Sequence, residues 1–470
     1  MDPITAVDCD VVVIGGGPAG STAAAYLARA GRRVVLLERE RFPRFHIGES
    51  LLASVNEVLD AIGATDIVRN AAFPRKWGAT FITHDGAVER FADFADTGEV
   101  PQPQTWQVPR ERFDDLLLRH AARCGADVRE GACVLDVALD ADNVTVSYGP
   151  RAEDLAHAVA GKDRLAPARH TTRGGGAPAP HATAAGPSRV RARAVVDASG
   201  RAGLLSRRFG LRVDEPGLAN VAVFSHFAGV PHGEGRRAGD IRVVARADMG
   251  WFWMIPISDE LTSVGVVLPR AAFKDLSPIS PETLLARLVA DTPAVARLMK
   301  TAEQRWPVRV ERDFTYGSKA YAGDRWILVG DAGSFLDPVF SSGVAIALES
   351  ALEGARALDA GLTRGDLSAR AFCTFNGRQR ARYRSFRRFV LGFYTAPFRD
   401  LFFSTDPPPR LFRAVVTVLA GYWHPSLLTR FWLELFFLSV RMQARLGFAP
   451  SHLAAGSSST RSNLIEPDQT

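Results

Sequence analysis

The chain has 470 residues, of which 47% are apolar and 23% charged, and a formal net charge of +6. Those proportions belong to an ordinary globular protein and exclude a wholly disordered, collagenous or disulfide-stapled chain; the length suggests about two to four domains. The charge is uneven: residues 374–447 hold twelve arginines, no lysine and three acids, so the basic character belongs to one C-terminal region.

In chain order, residues 10–14 (DVVVI) read as a buried strand, followed at once by GGGPAG and a helix over 21–30. Residues 33–38 (RVVLLE) read as a second strand, which completes a βαβ opening. Short strands and loops occupy 80–111, a helix 112–123, and strands 126–148. Residues 149–189, built from small residues and proline without hydrophobic period, read as a disordered insertion in a hairpin between 144–148 and 190–200. An antiparallel sheet is predicted over 219–268, a helix over 282–301, a buried strand over 326–329 and a helix over 344–358. From about 367 to 448 the chain reads as helical, aromatic and Arg-rich, with a disordered tail after it.

Gly15, Gly17 and Gly20 form GxGxxG between a strand and a helix, where glycines let the backbone approach a pyrophosphate and the helix N-terminus stabilises its charge. Glu38 ends the second strand, placed for a ribose hydroxyl. This pattern leaves FAD and NAD both open. Four scattered cysteines (Cys9, Cys124, Cys133, Cys373) contain no CxxC pair, so no metal site is expected and a reducing cytoplasm suits them. No secretory leader or ~20-residue apolar span is read.

Resemblance decides between the cofactors. A strand ending in Gly330-Asp331, followed by a Pro-containing turn and a helix, resembles the second FAD fingerprint of flavin monooxygenases, with Asp331 on the ribityl chain; residues 197–200 (DASG) resemble their third FAD motif. Four further segments narrow the family: WxWxIP at Trp251, Trp253, Ile255 and Pro256; FxxPxxSxG over 335–343, with Pro338 and Gly343; RFPRFHIGESLL over 41–52; and FPRKWGATF over 73–81, with Lys76. Together they resemble the flavin-dependent halogenases, over roughly residues 8–365 outside the insertion.

The resemblance implies FAD, reduced by a separate flavin reductase, with halide as co-substrate. It also implies Ala19, Arg44 and Arg110 at the cofactor and halide near Ser342 and Gly343. Lys76 would activate hypohalous acid, and Trp251, Trp253 and Phe340 would wall the active site. Tryptophan halogenases carry Glu where Phe340 stands, so the chain resembles the phenol- and pyrrole-halogenating branch. The implied reaction is halogenation, chlorination first, of an electron-rich aromatic in secondary metabolism such as antibiotic biosynthesis, in the cytoplasm. An aromatic hydroxylase or prenyl-lipid reductase of the same fold, and a non-catalytic carrier-binding flavoprotein, are the alternatives.

From the residues alone, Lys76 reads as a surface lysine in a loop beside Arg75, and the two tryptophans as core; with the resemblance, Lys76 reads as a catalytic lysine whose pKa is depressed by Phe73, Trp77 and Phe81. The C-terminal region reads as a solvated helical face, as a dock for an acidic carrier protein through Arg380, Arg384, Arg387 and Arg388, or as a peripheral membrane contact; no nucleic-acid module is visible. The expected architecture is α/β. A Rossmann-like FAD-binding domain (8–72, 112–148, 190–215, 322–365) carries an inserted antiparallel-sheet substrate domain (73–111, 216–321). The insertion is 149–189, the helical C-terminal module 366–450 and the tail 451–470.

Overall fold

The computed structural model describes residues 7–151, 187–276, 279–312, 315–404 and 407–451. Most of the insertion and nearly all of the C-terminal tail lie outside the described residues.

The β-branched run predicted as the first strand is the strand Cys9–Ile14. It pairs in parallel with Val34–Glu38 on one side and Ser188–Asp197 on the other. Trp326–Leu328 and Asp127–Glu130 extend the sheet outward, also in parallel. A parallel strand is covered on both faces and reads as continuous apolar sequence. Accordingly Val11 and Val13 pack into one core with the helices, while Val12 and Ile14 pack into another beneath the antiparallel strands Cys133–Leu139 and Val144–Gly149. The hairpin flanking the insertion is present, with Ser188 opposite Tyr148. Three helices cover the first face: Pro18–Arg29, Arg110–Arg123 and Ser342–Arg364.

The second sheet contains Asn220–Ala228, Leu261–Pro269, Trp251–Pro256 and Ile241–Ala245 in antiparallel order, continued by Gly78–Ile82 and Glu89–Asp93. Both of its faces are also buried. Trp251, Trp253 and Ile255 turn toward the first sheet's core, whereas Phe252 and Met254 turn toward the helices Pro281–Ala290 and Pro293–Leu298. The single helix expected over 282–301 is broken because Pro293 cannot continue the ladder but suits a new first turn.

The described C-terminal residues form four helices: Cys373–Phe393, Ala396–Phe402, Pro409–Leu419 and Leu427–Leu446. Their phenylalanines form the module's interior, with Phe386, Phe389, Phe393, Phe398 and Phe402 buried. Arg399 is buried too, and donates to the carbonyls of Arg246 (2.8 Å), Met249 (2.7 Å) and Phe393 (2.7 Å). It fastens this module to the turn that precedes Trp251.

The arginine face expected on the helix Cys373–Phe393 is half neutralised: Arg387 and Arg388 are ion-paired, Arg380 meets only a carbonyl, and Arg384 is exposed with no hydrogen bond or ion pair among the described residues. Arg387 binds both oxygens of Glu215 at 2.5 and 2.9 Å, Arg388 binds Glu434, and Arg380 donates to the Lys319 carbonyl at 2.6 Å. Their partners come mostly from other parts of the chain, so the local scarcity of acids did not predict the pairing.

Candidate functional site

The glycine turn does three separate jobs. Gly15 has φ +99°, and a Cβ there would lie 2.4 Å from the Ala198 carbonyl oxygen. A Cβ on Gly20 would lie 1.8 Å from the Gly15 carbonyl oxygen, so these two glycines are required by the close approach of helix and strands. Gly17 is different: its φ is −67°, and a Cβ would meet only the mobile end of Arg44, at 3.3 Å. Its bareness keeps space open in front of the helix N-terminus.

That space is a cavity of about 640 Å³ between the two sheets. Gly15, Gly17, Ala19, Glu38, Arg44, Arg110, Asp331, Pro338 and Gly343 line it, together with Trp251 and Trp253. Glu38 is buried and accepts from the amides of Gly16 (2.5 Å) and Glu40 (2.8 Å); each oxygen retains a lone pair for a ribose hydroxyl. Arg110 grips Asp114 with two hydrogen bonds (2.7 and 3.0 Å) and the Ile47 carbonyl at 2.8 Å, which fixes the 46–50 loop against the cavity. Burial pushes the Asp331 carboxyl up to about 6, against the pull of Arg110 and Arg201. Asp197 is the frame of its motif: it accepts from the amides of Ser199 and Leu205 at 3.0 and 2.7 Å. An elongated cavity with a bare glycine at a helix N-terminus, a buried carboxylate at one end and aromatic walls at the other suits FAD.

Ser342 and Gly343 begin the helix Ser342–Arg364, whose first-turn amides have no intrahelical acceptor. Gly343 lines the cavity, and the buried Ser342 Oγ has no hydrogen-bond partner among the described residues.

Lys76 does not reach this cavity. It is 1% exposed, and its Nζ donates to Ser50 Oγ and to the Leu51 carbonyl, both at 2.8 Å. Two sequence segments that resembled the same family therefore meet at one nitrogen. Asp240 holds the strand in place by accepting from the amides of Trp77 (2.7 Å) and Gly78 (2.9 Å). Burial lowers the Lys76 pKa to about 7, with Asp240 opposing. The lysine sits in a second, much smaller pocket of about 10 Å³, room for about one water. Phe81, Phe94, Phe340, Val243 and Leu419 line it, and among the described residues no carboxylate does. Ile241 and Ser341 line both cavities and so form the partition between them. Ser341 holds φ +56°, an unusual conformation for a residue with a side chain.

The sequence did not reveal the polar chain behind this partition. Trp251 Nε1 donates to Tyr394 Oη at 2.8 Å, and Tyr394 Oη donates to Asp337 Oδ2 at 2.9 Å. Asn220 Nδ2 also donates to Asp337 Oδ2 (2.8 Å), and Asp337 Oδ1 accepts from the Val339 amide (3.2 Å). Burial pushes the Asp337 carboxyl up to about 6, against these bonds. Only the position of Asp337 beside Pro338 hinted at this. Tyr394→Phe should lower stability by about 1–3 kcal/mol, because it strands the Trp251 N–H and removes a donor to a buried carboxylate. Tyr422→Phe, which removes an exposed bond to Glu57, should cost less than about 0.5 kcal/mol. Comparable denaturation midpoints for the two variants would refute the assigned chain. A second unanticipated pair, Glu49 and His226, sits 2.9 Å apart at the wall of the large cavity, which Glu49 lines.

The sequence matches a family model described as FAD binding domain over residues 8–162 and one described as tryptophan halogenase over 181–405. It is 32% identical to a 1H-pyrrole-2-carbonyl-[peptidyl-carrier protein] chlorinase of Pseudomonas fluorescens, over 86% of this chain and 87% of that protein. It is 37% identical to a sulochrin halogenase of Aspergillus terreus, over 76% and 65%. Among solved structures, the myxobacterial chondrochloren halogenase is similar with a TM-score of 0.70 and 32% identity, over 92% of this chain and 97% of that one.

Proposed function

This chain belongs to the flavin-dependent halogenases, and from that premise we propose that it halogenates an uncharged, electron-rich aromatic ring, a pyrrole or phenol, presented on a carrier protein. The observation that carries the reading is Lys76, sealed in a small apolar pocket lined by no carboxylate among the described residues; Ser341 and Ile241 line both cavities, and Ser50, which lines the large one, accepts from the lysine. With room for about one water the pocket must open before a ring reaches Lys76, and its apolar lining then suits a ring without an ammonium group better than a free amino acid. The relative of known carrier-bound substrate supports the tether.

Bound FAD, reduced by a separate flavin reductase, supplies with oxygen the two-electron oxidation of halide to hypohalous acid. The chain's own residues do the rest. Gly15, Gly17 and Gly20 shape the turn that admits the pyrophosphate, Glu38 binds the ribose and Asp331 the ribityl hydroxyls, while Ala19, Arg44, Arg110 and Pro338 hold the remaining cofactor edge. The amides of Ser342 and Gly343, at the positive end of a 23-residue helix, hold the halide. Trp251 and Trp253, with ring centroids 5.9 Å apart, keep the aromatic substrate and bulk water from the large cavity. Hypohalous acid crosses between Ser341 and Ile241 to Lys76. There Ser50 and Leu51 occupy two N–H donors, and Phe340 and Phe81, which line the closed pocket, must move apart to admit the ring.

The test supplies reduced FAD, oxygen, chloride or bromide, and pyrrole-2-carbonyl carrier protein, and reads the product's halogen isotope pattern. Product should form only with halide. A hydroxylated product independent of halide would replace this reading with a hydroxylase of the same fold, and no oxygen consumption would make the chain a carrier-binding flavoprotein without chemistry.

A further inference from the structure

The last helix, Leu427–Leu446, is apolar on two sides, and only one of them is packed. Its inner side buries Leu433, Phe436 and Phe437, with Phe437 5.0 Å from Phe389 and Phe436 5.3 Å from Phe398 between ring centres. At 3.6 residues per turn, the opposite side carries Leu428, Phe431, Leu438, Met442 and Leu446 in one stripe, about 30 Å long from Leu427 to the end. All are exposed, Leu428 by 67%, Phe431 by 59% and Leu446 by 69%. Single exposed apolar side chains are ordinary, but a contiguous stripe of this length marks an interaction surface.

One edge of the stripe is cationic. Arg430, Arg441 and Arg445 lie along it and form no ion pair among the described residues. On the helix Cys373–Phe393, by comparison, Arg378, Arg382, Arg387 and Arg388 are matched by Glu353, Glu349, Glu215 and Glu434, and only Arg380 and Arg384 form no ion pair among the described residues. The one acid on the outer helix, Glu434, is held by Arg388. Unspent positive charge is therefore concentrated beside the unspent apolar surface.

We propose that this outer face is where the carrier protein docks, an inference that rests on the carrier-bound reading of the substrate. Carrier proteins are acidic, so a cationic edge beside an apolar stripe complements one that offers apolar side chains among carboxylates. The face also adjoins the chemistry. Phe437 touches Phe389, Phe389 lies 6.4 Å from Phe340, and Phe340 lines the Lys76 pocket. Leu419, from the preceding helix, lines that pocket as well. A carrier seated here is separated from the pocket wall by the thickness of this helix and the Phe437–Phe389–Phe340 contacts, roughly 20 Å in all.

Two sets of surface variants test this: Arg430→Glu with Arg441→Glu and Arg445→Glu, and Phe431→Ser with Leu438→Ser and Met442→Ser. Each is assayed on pyrrole-2-carbonyl peptidyl carrier protein and on the same acyl group carried by free pantetheine. Both sets should lower kcat/KM for the carrier-bound form about tenfold or more, and leave the pantetheine thioester within about twofold. The parent's rate on the carrier should fall between about 0.05 and 0.5 M salt, and the charge-reversed set should lose that dependence. Unchanged carrier rates overturn the docking surface. If they are unchanged while the variants turn a dimer into a monomer, a second copy covers the stripe; if the parent alone sediments with phosphatidylglycerol vesicles, a membrane does. A parent that halogenates free pyrrole-2-carboxylate as efficiently as the carrier-bound form sinks the tethered-substrate reading itself, and the docking proposal with it. Preference for the carrier-bound form with variants unaffected sinks only the docking surface.

Discussion

Lys76→Met should lose halogenated product by at least about 100-fold while FAD loading and oxygen consumption stay within about twofold. Lys76 lines a pocket separate from the large cavity, so its removal does not touch the residues proposed to hold FAD and halide. Methionine keeps most of the stem's volume among Phe81, Phe94 and Phe340, which limits collapse of the pocket. Hypohalous acid should then escape, and a soluble trap in the assay should be halogenated in place of the substrate. Retained product would remove Lys76 from the reaction; lost FAD would make it a structural residue. The pH dependence adds a second reading. With a pKa of about 7, Nζ is an ammonium below neutrality and an amine above it. Ser50 Oγ and the Leu51 carbonyl take two N–H donors, so the amine is left with its lone pair facing the pocket. If that lone pair receives the halogen, product formed per oxygen consumed should rise between about pH 6 and pH 8 in the parent. A fall over the same interval would assign the work to the ammonium as a hydrogen-bond donor.

Gly17→Val should yield folded protein that binds FAD at least about 100-fold more weakly, seen as colourless protein with a near-parental denaturation midpoint. The backbone at Gly17 is in an ordinary conformation, and its Cβ would meet only the end of Arg44. The obstruction is therefore to the ligand and not to the fold. Gly15→Val and Gly20→Val should instead give little soluble protein, since their side chains would strike backbone atoms at 2.4 and 1.8 Å. A yellow Gly17→Val variant would mean that the pyrophosphate does not pass over this turn.

The parts legible in the sequence are those written in contiguous residues. The run of Val11, Val12 and Val13 before Gly15 announces a parallel strand covered on both sides, and the period-2 spacing of Trp251 and Trp253 places both rings on one face. Both follow from local geometry and need no distant partner. The same holds for the motifs that resembled the halogenases, because each is one turn or strand end. Three features depended on residues far apart in the chain. By its own residues Lys76 read as a surface loop lysine until Ser50, Leu51 and Asp240 closed around it. The arginines of 380–388 looked like an open cationic face until Glu215 and Glu434 paired with Arg387 and Arg388. Tyr394, which carries no motif, joined Trp251 to Asp337 only when the C-terminal helices packed onto the second sheet. Burial, pKa and ion pairing depend on which side chains are brought within a few ångströms, and sequence spacing does not encode that for partners 25 to 172 residues apart. Local pattern thus determined the cofactor turn, the strands and the family; tertiary packing decided which lysine is dry, which arginines are spent, and where the remaining charge meets bare apolar surface.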